Sequence, residues 1–60
     1  MFYQKIERLC KERGISIARL EKETNIGNGT IGRWKESVPS LTSLKKIAEY
    51  FEIPLAELIE

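Results

Sequence analysis

The sixty-residue sequence contains no histidine and no aspartate, and its one cysteine is Cys10. A structural zinc site takes its four ligands mainly from cysteine and histidine, so we predict no metal and no cofactor. The nine glutamates are the remaining candidates for acid–base catalysis. Their spacing predicts that all of them face solvent, away from any pocket that shifts a pKa. We therefore predict that the protein is not an enzyme and has no small-molecule substrate.

The sequence also lacks an apolar run long enough to cross a membrane, and residues 1–5 lack the apolar stretch of a secretory signal. Cys10 falls on the apolar side of the first helical pattern, so we interpret it as a small buried hydrophobic residue rather than a reactive thiol. We therefore expect a protein of the reducing cytoplasm, without a membrane partner. A hydrophobic fraction of 42% favours a folded chain, and the length predicts one domain over residues 1–60 with a marginal core.

What the sequence does contain is helical periodicity, and no stretch alternates between apolar and polar residues as a strand does. We therefore predict an all-α fold of five short helices. The first three are expected over about residues 2–13, 17–24 and 28–35, a fourth carries the stripe Leu41, Leu44, Ile47, Ala48 and Phe51, and a short fifth opens at residues 53–54. Local signals support these bounds: Gly14 ends the first helix, Ser16 and Ser40 cap the second and fourth, and Asn25 takes a positive φ at the turn.

Residues 17–36 have the spacing of a helix-turn-helix. The side chains expected to pack between its two helices are Leu20, Thr24, Ile26, Ile31 and Trp34. The outward positions are small or polar, as suits a surface that enters a DNA groove: Asn28, Gly29, Gly32 and Arg33. We interpret Trp34 as a core residue rather than one that stacks on DNA bases. The pattern favours a sequence-specific DNA-binding domain.

The same residues also contain a GxGxxG match, at Gly27, Gly29 and Gly32. In dinucleotide-binding proteins this motif follows a strand and lies within a βαβ unit. Here the preceding residues are helical in pattern and only 28 residues follow Gly32. We therefore interpret the match as accidental.

Charge is divided unevenly along the chain. Residues 1–35 hold eight basic and four acidic side chains, a net charge of +4, whereas residues 36–60 hold two basic and five acidic ones, a net charge of −3. The positive half contains the helix-turn-helix, and we expect the negative half to face away from a polyanion.

The sequence resembles the Cro-like family of phage and bacterial repressors over nearly all sixty residues. The residues that carry the resemblance are Ile15–Ser16, Ala18, Leu20, Thr24–Ile26, Thr30–Ile31, Arg33–Trp34, Pro39–Ser40, Leu44, Ile47–Ala48 and the segment 53–58. The resemblance implies a lambda-repressor-like fold of five helices, in which helices 2 and 3 form the helix-turn-helix and helix 3 lies in the major groove. Carried onto this chain, it implies base contacts at Asn28, Gly29, Gly32 and Arg33. Contacts to the DNA backbone are expected at Ser16, Ile17, Arg19, Lys22, Gly27, Thr30, Lys35 and Ser37.

Side-chain chemistry gives the two polar base-reading residues definite partners. Asn28 is expected to pair with N6 and N7 of an adenine, and Arg33 with O6 and N7 of a guanine. The alternatives are that Asn28 only starts a helix and that Arg33 is a solvated surface residue. Backbone amides around Ser16 are placed to hold a phosphate, and Thr30 to bond a phosphate or pack on a thymine methyl.

Several residues depart from the family pattern. Ile17 replaces a glutamine that helps to hold phosphate, Glu21 replaces an alanine where the helices approach, and Asn25 replaces the turn glycine. Cys10 and Lys35 stand where the family often pairs an arginine with a glutamate. The glycines of the third helix cost up to about 1 kcal/mol each against alanine. Recognition then relies on close backbone approach, or the helix orders only on DNA.

These inferences predict a transcription regulator, a repressor that binds double-stranded operator DNA and forms a homodimer when bound or within a longer protein. The alternative is a small helical protein-interaction module of the antitoxin or adaptor type. In that case, residues 2–3 and 50–51 bind a partner instead of sealing the core.

Overall fold

The computed structural model describes residues 2–59, and within them the structure is all-helical. Its elements are α1 (Phe2–Arg13), α2 (Ile17–Thr24), a 3₁₀ helix (Ile31–Lys35), α3 (Leu41–Phe51) and α4 (Leu55–Ile59). The all-α prediction is confirmed, and α1 and α2 have the predicted bounds. No helix within residues 2–59 combines the length and apolar character needed to cross a bilayer.

The expectation of five helices needs one correction, because the third is not an α-helix over residues 28–35. The structure has a turn, closed by the Thr30 amide donating to the Gly27 carbonyl at 3.0 Å, and only then a short 3₁₀ helix. Gly29 adopts a φ of +85°, which lies outside the α-helical region. Glycine adopts this conformation easily, so the chain forms a turn at residues 27–30, where the sequence pattern predicted the first turn of an α-helix.

The predicted helix boundaries follow from identifiable capping contacts. The Ser16 hydroxyl accepts from the Arg19 amide at 3.0 Å, and the Ser40 hydroxyl accepts from the Ser43 amide at 3.2 Å. Gly14 ends α1 with a φ of +78°, and Asn25 ends α2 with a φ of +62°. All four positions confirm the sequence-based predictions.

The core lies between α1, α2, the 3₁₀ helix, α3 and α4, all of which contribute buried side chains. The side chains that are almost completely buried there are Ile6, Cys10, Leu20, Ile31, Ile47 and Leu58. Each large aliphatic side chain removed from water in this way contributes about 1.5–3 kcal/mol. Cys10 is 2% exposed, which confirms it as a core residue. Burial, reinforced by the Glu7 carboxylate, raises the pKa of its thiol.

Two apolar side chains near the start of α3 are exposed. Leu41, which the sequence pattern placed on the buried stripe, is 56% exposed, and Val38 in the preceding loop is 79% exposed. Leu41 is the first residue of α3, and burial of the stripe begins one turn later, at Leu44, so the prediction for Leu41 was wrong. At the other end of α3, Pro54 lies just before α4, and its carbonyl accepts from the Glu57 amide at 3.0 Å.

Candidate nucleic-acid interface

The end of α2 and the turn after it hold the next segment against the core. The Glu21 carbonyl accepts from the Ile26 amide at 2.8 Å, and the Thr24 hydroxyl donates to the Leu20 carbonyl at 2.6 Å. Ile26 is buried, so the chain enters the following residues anchored on the core. We call residues 28–35 the recognition segment.

The recognition segment has one buried and one exposed side. Ile31 and Trp34 are buried, and Trp34, at 5% exposed, is too enclosed to stack on a base. The exposed side consists of Asn28, Gly29, Gly32, Arg33 and Lys35, with Gly27 exposed just before it and Thr30 half-buried. All four predicted base-reading residues are therefore exposed within the recognition segment. Because α2 precedes Gly27, the GxGxxG match lacks the strand that a dinucleotide site needs.

Glu21 is a residue of this site that the sequence analysis placed wrongly. Its side chain is only 3% exposed, which contradicts the prediction that all nine glutamates face solvent. The Gly29 amide donates to Oε1 at 3.0 Å, and the Ile31 amide donates to Oε2 at 2.9 Å. A signal was present in the sequence, because Glu21 lies one turn after Ile17 and one position after Leu20, on the inward stripe of α2.

Two of the predicted DNA-backbone residues, the N-cap of α2 and a residue within that helix, already have partners within the protein. The Ser16 hydroxyl caps the helix, and the Arg19 Nε donates to Glu23 Oε2 at 2.9 Å on the surface. Glu23 Oε1 in turn accepts from the Tyr50 hydroxyl at 2.5 Å, which ties α2 to α3. Hydrogen bonds from Tyr50 and then from Arg19 lower the pKa of Glu23, so the carboxylate stays charged. Lys22, the residue before Glu23, is exposed.

Two further predicted DNA-backbone residues, Lys35 and Ser37, lie at the end of the recognition segment and just after it. The Lys35 Nζ lies 4.9 Å from the centre of the Tyr3 ring, a cation–π contact with α1. The Ser37 hydroxyl and amide both donate to the Arg33 carbonyl at 3.0 Å and close the 3₁₀ helix. Ile17, the first residue of α2, is half-buried and packs against the core.

The glycines of the segment differ in the space around them. A Cβ on Gly32 would meet no atom within 4 Å, whereas a Cβ on Gly27 would lie 3.0 Å from the Thr30 hydroxyl. Gly27 therefore fits the tight turn, and Gly29 fits its positive φ. Neither a close contact nor a positive φ requires glycine at position 32, and the absence of a side chain there leaves space beside the backbone.

Comparison with known proteins agrees with this geometry. A family model described as a Cro/C1-type HTH DNA-binding domain matches residues 5–60. No curated protein and no solved structure matches the chain significantly. The family match covers almost the whole chain and includes α2, the turn and the recognition segment. The chain therefore belongs to the family of Cro/C1-type helix-turn-helix DNA-binding domains.

Proposed function

We propose that this domain serves a transcription regulator of phage or bacterial type, a repressor that binds double-stranded operator DNA in the cytoplasm. The observation that carries the proposal is the recognition segment itself. Small and polar residues cover its exposed side, while Ile31 and Trp34 hold its other side in the core. An exposed polar segment anchored on the core is suited to reading base edges in the major groove.

Within this proposal the exposed residues divide the work. Asn28 pairs with an adenine and Arg33 with a guanine, each through two hydrogen bonds. Gly29 and Gly32 let the backbone approach the bases closely. Contacts to the DNA backbone, which add affinity without sequence information, come from Ser16, Ile17, Arg19, Lys22, Gly27, Thr30, Lys35 and Ser37. Arg19 must share its guanidinium between Glu23 and a phosphate.

Two copies bound to adjacent half-sites complete the proposed complex. One recognition segment reads only a few base pairs, and paired half-sites about one helical turn apart supply the remaining specificity. The positive net charge of residues 1–35 supports an orientation with that half of the sequence toward DNA.

The test is selection from a randomised duplex library with the chain fused to a dimerising coiled coil. A double variant, Asn28→Ala/Arg33→Ala, removes the two polar base contacts. A matched control, Gln4→Ala/Arg8→Ala, removes an amide and a guanidinium from exposed positions on α1. We expect a palindromic site to be enriched by the original chain and by the control, but not by the double variant.

Each other outcome has a definite meaning. Enrichment of the same site by the double variant refutes the assignment of Asn28 and Arg33 while leaving DNA binding intact. Failure of every protein to enrich a site at low salt contradicts the proposed function and favours a protein-interaction module. The structure argues against residues 50–51 as a partner-binding surface, because Phe51 is buried and the Tyr50 hydroxyl donates a hydrogen bond to Glu23.

A further inference from the structure

We infer that Glu21 is a positioning residue for base recognition, and that it acts by fixing the backbone of the recognition segment. The inference rests on the proposed function, since it explains how that segment is held for specific DNA reading. Glu21 itself is buried and does not belong to the exposed surface that would meet DNA.

The carboxylate links a regular helix to an irregular segment. Leu20, its neighbour on α2, is fully buried, so the helix holds the base of the Glu21 side chain firmly. The two carboxylate oxygens then accept from two different amides, those of Gly29 and Ile31, at 3.0 and 2.9 Å. The Glu21 carbonyl also accepts from the Ile26 amide. One residue therefore fixes both the turn and the start of the 3₁₀ helix.

The recognition segment needs these hydrogen bonds to Glu21 because few regular backbone hydrogen bonds hold it in one conformation. Gly29 and Gly32 lie within it, and a 3₁₀ helix of five residues replaces the longer α-helix. The first amides of any helix have no partner within the helix. A charged acceptor makes stronger hydrogen bonds to such amides than a neutral one does. The bonds bracket Thr30 and so set the placement of Asn28 relative to Arg33.

The same contacts change how the segment can hold phosphate. A helix start usually offers free amides and a positive dipole end to an anion. Here the Gly29 and Ile31 amides already bond to a negatively charged side chain. These two amides are therefore not free to bind phosphate, but their positions are fixed by Glu21. Its negative charge should weaken sequence-independent attraction to DNA, while its hydrogen bonds should strengthen sequence-specific binding.

The test therefore compares sequence-specific with sequence-independent binding, on which Glu21 should have opposite effects. Glu21→Gln keeps the shape of the side chain but has only one oxygen to accept with, and it removes a negative charge. Glu21→Asp keeps the charge but is one methylene too short to reach both amides. The matched control is Glu49→Gln, which removes the same charge from an exposed position on α3. Dissociation constants are measured on the duplex selected by the original chain and on a scrambled duplex of equal length, at one ionic strength.

We expect both Glu21 variants to bind the selected duplex about tenfold more weakly, the effect expected for one lost charge-assisted hydrogen bond. Binding of Glu21→Gln to the scrambled duplex should stay equal or become tighter, and Glu49→Gln should keep the original ratio of the two constants. Amide exchange in the free Glu21→Gln protein should accelerate at Gly29 and Ile31 without a change in the far-ultraviolet circular dichroism of the helices.

The inference is overturned if both Glu21 variants keep the original ratio of specific to scrambled binding, or lose affinity equally for both duplexes. It is also overturned if both variants unfold, because Glu21 is then needed for the fold as a whole and has no separate positioning role. If the original chain selects no duplex, the proposed function fails instead. In that case, rapid exchange of the Gly29 and Ile31 amides in the original protein would independently refute the proposal that Glu21 fixes this backbone.

Discussion

At the scale of single residues, backbone conformation identifies a place where the sequence is not optimal. Within residues 2–59, Asn25 and Glu52 have positive φ values of +62° and +58° and end α2 and α3. Asparagine tolerates this conformation, whereas a glutamate does so at a cost of about 1–2 kcal/mol. The residue type of Asn25 predicts this conformation, but nothing in the residue type of Glu52 indicates a left-handed cap.

We therefore expect Glu52→Gly to raise the free energy of unfolding by about 1 kcal/mol, because glycine adopts the left-handed region without a Cβ clash. Urea denaturation followed by circular dichroism measures the change. Asn25→Gly is the matched comparison and should gain less. Equal or lower stability of Glu52→Gly would show that the cap is not strained.

At the scale of elements, the recognition segment combines low helical propensity with an open surface at Gly32. In Gly32→Ala the new Cβ meets no atom within 4 Å, so the free protein should be unchanged or up to about 1 kcal/mol more stable. On DNA the same methyl group occupies the space that close approach requires. We expect affinity for the selected duplex to fall on the order of tenfold, the effect of about 1.4 kcal/mol.

Fluorescence anisotropy with a labelled duplex and thermal unfolding of the free protein measure these two effects separately. Gln4→Ala, at an exposed position on α1, is the control and should leave DNA affinity unchanged. Undiminished affinity of Gly32→Ala would place Gly32 away from the DNA.

The link between α2 and α3 is expected to depend on pH. Hydrogen bonds from Tyr50 and Arg19 lower the pKa of Glu23 below its ordinary value of 4.5. The stabilisation is therefore present above that pH and is lost as the pH falls through the lower folded-state pKa. We expect Tyr50→Phe to destabilise the protein at pH 7, and the difference from the original chain to shrink in more acidic solution.

Urea denaturation at neutral pH and at several acidic values follows this difference. Tyr3→Phe removes a hydroxyl from α1 and retains the ring that contacts Lys35, so it serves as the control. A difference for Tyr50→Phe that stays constant across the acidic range would mean that the Glu23 carboxylate is not its source.

The elements also show what sequence can and cannot predict here. The bounds of α1 and α2 were predictable because periodicity and capping residues such as Gly14 and Ser16 act locally. The third element was predicted as an α-helix because its apolar spacing, at Ile31 and Trp34, fits one. In the structure Gly29 has a positive φ and its amide donates to the carboxylate of Glu21, eight residues away, a contact that no local pattern encodes. The exposed residues were predictable, whereas the contacts that hold them were not.

At the scale of the whole molecule, the uneven distribution of charge should control how salt affects DNA binding. Residues 1–35 carry the net positive charge and all of the proposed contacts to the DNA backbone except Ser37. Each neutralised phosphate steepens the dependence of log affinity on log salt by about 0.9. We expect Lys22→Gln to reduce the slope by about that amount, on the selected and scrambled duplexes alike.

Lys45→Gln, in the acidic half of the sequence, removes the same charge and should leave the slope nearly unchanged. Titrations at four or more salt concentrations give both slopes. Equal changes for the two variants would mean that net charge, and not the proposed orientation on DNA, governs the attraction.

Base discrimination by Arg33→Ala tests the role of the recognition segment most directly. Affinities are measured for the selected duplex and for a panel in which each base pair of one half-site is replaced in turn. If Arg33 reads a guanine, the variant loses about 1–3 kcal/mol on the selected duplex and becomes indifferent to replacement at one G·C pair, while discrimination elsewhere persists. Uniform weakening across the panel, with discrimination at every position retained, would contradict base reading by this segment.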